Sequence, residues 1–137
     1  MNYPRPTAFA LAGLASLVLF QPAMATALLR CSVTYAGASQ LIEAAPVSDP
    51  YPVPSVDIAG RFRFKAVMVG RDARVDRIVL YAYLDAGVQP VLVQQAKYLP
   101  PFAASATPYS LTGEQRVYAG PVERELIYSC TLEGVQP

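Results

Sequence analysis

Two cysteines, ten carboxylates and no histidine define the chemistry open to this chain. Without imidazole, the commonest general base and the usual nitrogen ligand for metals are missing. Ser-His-Asp and Cys-His catalysis are excluded on composition, as are zinc sites built on histidine. Two cysteines alone do not close a structural zinc site. Outside the first 27 residues Met68 is the one methionine, which leaves no cluster for Cu(I). Glu123 and Glu125 share a strand face at i, i+2, and Asp72 and Asp76 lie in and just after a turn. Glycoside hydrolysis needs two carboxyls roughly 5–10 Å apart in a cleft, and nothing in the sequence puts either pair in one. No phosphate-cradling glycine loop, dinucleotide fingerprint or calcium loop occurs. The residues therefore point to a non-catalytic protein with no cofactor and no metal.

Cys31 and Cys130 have a different meaning. Leu29, Cys31, Val33 and Tyr35 alternate with Arg30, Ser32 and Thr34, and Leu126, Tyr128, Cys130 and Leu132 alternate with Glu125, Ile127, Ser129 and Thr131. Each cysteine thus falls on the apolar face of a strand. One structural disulfide between the first and last strands is expected, either across one sheet or between two. A redox-active pair would favour Cys-x-x-Cys at a helix start, which is absent.

The compartment follows from the first 27 residues. Arg5 precedes an apolar run from Ala8 to Phe20, and Ala23-Met24-Ala25 and Ala25-Thr26-Ala27 both offer small-x-small cleavage sites. This is the order of a secretory signal peptide. The run of 13 residues is shorter than the roughly 18 that a membrane span needs, and no later stretch is long enough. The expected protein is periplasmic or secreted, with residues 1–27 as leader and 28–137 as one disulfide-closed domain. Arg5 leaves with the leader, so the mature part balances ten basic side chains against ten acidic ones. A neutral domain has no general electrostatic attraction to nucleic acid or anionic lipid.

After residue 27 the hydrophobic period is two, not 3.6. Phe62, Phe64, Ala66 and Met68 alternate with Arg61, Arg63 and Lys65. The stretch 77–84 is apolar on both faces, which suits a central strand or one with a covered second face. Asp85-Ala86-Gly87 reads as a three-residue hairpin turn leading to a strand over 91–99, so 61–99 forms a three-stranded meander. Gly70-Arg71-Asp72-Ala73 reads as a turn. Strands over 114–119 and 124–132 make a second hairpin around Gly120-Pro121. Prolines 46, 50, 52 and 54 mark a stiff crossover between sheets, or a docking segment. The spacing predicts an antiparallel β-sandwich of six or seven strands, immunoglobulin-like in architecture but with no tryptophan to back the bridge.

Two features could bind something. Six basic residues from Arg61 to Arg77 stand against only Asp72 and Asp76. If the Glu-rich span 114–133 lies beside them, these charges pair internally; otherwise they form an acidic-partner face. Tyr81 and Tyr83 share a face and, with Tyr98, could pave a contact surface. The candidate binding face is therefore Arg61, Arg63, Lys65, Tyr81, Tyr83 and Tyr98. Its expected occupant is a protein partner in the cell envelope; the alternative is a small molecule or carbohydrate.

Overall fold

The computed structural model describes residues 19–21, 25–85, 87–119 and 124–137. These contain no helix, and none that could cross a membrane. Ten strands form two five-stranded sheets, an arrangement consistent with a β-sandwich. Seven of the strands have five or more residues. The other three are two- or three-residue pairings, too short to leave a periodic signal.

The first sheet is built on its two outermost strands in sequence. β1 (Leu28–Tyr35) lies between β2 (Ala38–Ala44) and β10 (Arg124–Glu133), antiparallel to both. Leu29, Cys31 and Val33 point inward and are buried, as are Leu126, Tyr128, Cys130 and Leu132. Cys31 and Cys130 are register partners and form the disulfide. The bridge thus ties adjacent strands of one sheet, not one sheet to the other. Ala36 and Gly37, at φ of 50° and 80°, make the two-residue turn between β1 and β2.

The proline-rich segment carries the chain to the second sheet. β3 (Pro46–Val47) runs parallel to Met68-Val69, and β4 (Val56–Ile58) runs antiparallel to Phe62–Phe64. Both occupy one edge of β5 (Phe62–Arg71). That placement suits proline, whose missing N–H an outer strand tolerates. β5, β6 (Arg74–Leu84) and β7 (Val91–Tyr98) form the expected meander.

Two turns differ from the sequence expectation. β5 continues through Gly70 and Arg71, and the turn is Asp72-Ala73 alone. The ladder slips one register at Gly70, where an added Cβ would stand 2.1 Å from the carbonyl oxygen of Arg74. Glycine there lets the two backbones approach, so pairing persists. Between β6 and β7 the connection runs from Asp85 to Pro90, longer than a three-residue turn; Ala86 lies outside the described residues.

The chain returns to the first sheet through β8 (Tyr109–Ser110) and β9 (Gln115–Ala119), both beside β10. The Gly120-Pro121 turn and Glu123 lie outside the described residues. One apolar cluster joins the sheets. Aromatic pairs fill the place of a tryptophan: Phe64 against Tyr128 at 5.0 Å, and Tyr35 against Phe62 at 5.4 Å between centroids. The Tyr128 hydroxyl donates to Gln94 Oε1 at 2.7 Å, which satisfies the one polar atom on the buried ring.

Candidate binding face

Strand register decides which candidate residues meet. Lys65 is opposite Tyr81, and Arg63 is opposite Tyr83. These four lie on the outer face of the second sheet, since Phe62, Phe64, Ala66 and Met68 fill the inner one. Tyr81 and Tyr83 stack at 6.2 Å and 19° between ring planes, and Lys65 Nζ lies 5.7 Å from the Tyr81 centroid. The three side chains form one amphipathic unit, with the ammonium over a ring face.

Arg63 has internal partners. Its guanidinium donates to Ser55 Oγ at 2.8 Å and to the Ser55 carbonyl at 3.1 Å, and reaches Asp85 at 3.5 Å. It ties the approach to β4 to the loop after β6. Arg61 sits in the turn before β5, where its backbone binds Ile58 and Asp85. Its side chain is exposed. Tyr98 belongs to the other face. It pairs with Ile78, which is fully buried, and packs against the core. Burial raises its phenol pKa. Tyr81, Tyr83 and Tyr98 therefore do not form one paving.

In place of Tyr98, β7 contributes Lys97. It pairs with Val79, while Gln95 pairs with Tyr81 and Leu92 with Tyr83. Arg77 pairs with Val69 on the same outer face. Lys65 thus sits beside Tyr81, while Arg77 and Lys97 extend the same face from Val79, on the side of Tyr81 away from Tyr83. None of the three has a carboxylate within 4.0 Å among the described residues.

The Glu-rich span does not cancel these charges. Glu133 and Glu43 pair with Arg30, and Glu114 and Glu125 pair with Arg116, all on the first sheet. Those carboxylates raise the pKa values of both guanidinium groups. The acidic and basic spans thus lie on different sheets, and the described carboxylates of the acidic one, Glu114, Glu125 and Glu133, are matched locally.

Val67 and Val79 also point outward, yet only 3% and 6% of their surface is exposed. Pro50 and Tyr51, from the proline-rich segment, line a groove of about 240 Å³ with Lys65, Val67, Arg77 and Tyr81. The crossover therefore walls one side of the face beside Val67, Val79 and Tyr81. The opposite side ends at β7, which pairs only with β6 among the described residues. Val91, Leu92 and Val93 are exposed there.

Lys97 and Leu92 are thus part of the face although the sequence did not single them out for it, and they join Arg77 of the basic stripe and Tyr51 of the proline-rich segment there. Finding them needs the register across three strands, which residue types alone do not carry. Among the described residues no group of His, Cys, Asp or Glu is placed to hold a metal ion. No family model, curated protein or solved structure matches the chain.

Proposed function

We propose that this is an exported, non-catalytic binding or assembly module. Its outer face on the second sheet takes an acidic, extended segment of a protein partner in the cell envelope. The signal peptide lies within residues 1–27. The carrying observation is that Lys65, Arg77 and Lys97 share one outer face with the stacked Tyr81–Tyr83 pair, and none of the three has a carboxylate within 4.0 Å among the described residues. Unpaired cations beside large, stiff, polar-tipped rings suit acidic and apolar side chains together.

The shape favours a chain over a small molecule. The groove of about 240 Å³ falls below the roughly 300 Å³ where ligand-enclosing pockets begin. It suits one side chain of a longer partner. The free edge of β7 offers backbone groups for an added strand, with Val91 and Leu92 beside it.

The β6–β7 register slips between Ala82 and Tyr83, so Val91 and Gln94 face inward while Leu92 and Gln95 face outward. Alternation is broken at Val93.

Binding is tested by capturing partners on oxidised wild-type protein and on the Lys65→Glu/Arg77→Glu variant. A partner held by the first and lost by the second supports the reading. A partner held equally by both sinks it.

A further inference from the structure

The sequence leaves two bonds open to leader removal, after Ala25 and after Ala27, and the fold separates them. Ala27 is fully buried and belongs to the core cluster. Its N–H donates to the Asp72 carbonyl at 2.9 Å. Gly134, at φ +75°, packs so closely that an added Cβ would stand 2.7 Å from the Thr26 carbonyl oxygen. The Gly134 and Gln136 amides donate to Ser105 and Ala73 and hold that C-terminal segment in place. Thr26-Ala27 is therefore seated between the β5–β6 turn and the C-terminal residues. Ala25 and Thr26 are themselves exposed.

Cleavage after Ala27 would delete a core residue and leave the Asp72 carbonyl without its donor. It would also put a new ammonium on Leu28, beside the space Ala27 fills, where desolvating charge is unfavourable. Cleavage after Ala25 keeps every one of these contacts and places the ammonium on exposed Thr26.

We infer that the Ala25–Thr26 peptide bond is the processing site, and that the mature chain starts at Thr26. This rests on the reading of a signal peptide within residues 1–27. The step is hydrolysis by an endopeptidase that selects small side chains, here Ala23 and Ala25, ahead of the bond. The C–N bond breaks, water supplies hydroxyl to the Ala25 carbonyl carbon, and the Thr26 nitrogen takes the proton.

The test is intact mass and N-terminal sequencing of the full gene product, expressed in a Gram-negative host and recovered from its envelope fraction. A chain starting at Thr26 is expected. A chain starting at Leu28 overturns the inference while leaving export intact. A chain retaining Met1 overturns the signal-peptide reading itself. A second measurement compares purified, oxidised chains starting at Thr26 and at Leu28. The shorter one is expected to melt at least about 4 °C lower. Equal melting temperatures would remove the structural basis of the assignment.

Discussion

Cys31 and Cys130 face each other across β1 and β10, with their Cα atoms 4.0 Å apart and both side chains buried. The bond joins residues separated by 99 positions, so it closes nearly the whole domain. Loop closure of that length corresponds to about 4–5 kcal/mol in the chain-entropy model. The Cys31→Ala/Cys130→Ala variant is expected to lose stability of that order in urea denaturation. A loss under about 1 kcal/mol would mean that the unbridged unfolded chain keeps its ends close through residual structure, against the chain-entropy account.

Gly70 and Arg74 supply a sharper packing test. A methyl group at Gly70 would sit 2.1 Å from the Arg74 carbonyl oxygen, which is backbone and cannot rotate away. Gly70→Ala is expected to cost about 2 kcal/mol or more, as overpacking does. Thermal denaturation with an unchanged midpoint would contradict the bulge geometry.

The β1–β2 turn places Ala36 at φ 50°, a region unfavourable for a residue with Cβ and no local hydrogen bond. Asparagine tolerates it and is preferred before glycine in such turns. Ala36→Asn is expected to stabilise the protein by about 0.5–1 kcal/mol. A lower urea midpoint would count against this turn assignment.

Alkaline pH tests the core. Burial raises the Tyr128 phenol to about 12, with Tyr98 nearby adding to the shift. Its value in the unfolded chain is about 10. The folded state thus holds its proton more tightly, and its contribution is fully present below pH 10. It is lost as pH rises from 10 to 12. Unfolding free energy is expected to fall across that window, and Tyr128→Phe is expected to flatten the fall. An unchanged slope in the variant would assign the effect to other groups, of which Tyr83 and Tyr98 are also raised by burial.

Much of this fold was legible in the residues. The alternation of Phe62, Phe64, Ala66 and Met68 with charged neighbours placed β5 and its inner face correctly. The two-sided apolarity of β6 suited a central strand or one with a covered second face, and β6 lies between β5 and β7 in the sheet. The bridge was legible from two cysteines on apolar strand faces. Register was not. Tyr98 moved to the core side because strand direction and pairing, not residue type, set which face it shares with Tyr81. The separation of the acidic and basic spans was hidden for the same reason. Charge counts along a chain do not say which sheet each strand joins.

The central claim is that the outer face of the second sheet is a cationic, aromatic docking surface. The direct measurement is partner capture by wild-type protein, by Lys65→Glu/Arg77→Glu, and by Arg116→Glu on the first sheet, each at about 0.05 and 0.5 M salt. The account expects one partner held by wild type and Arg116→Glu at low salt, weakened at high salt, and lost by the double variant. Retention by the double variant, or salt-independent binding lost only with Arg116→Glu, would contradict it.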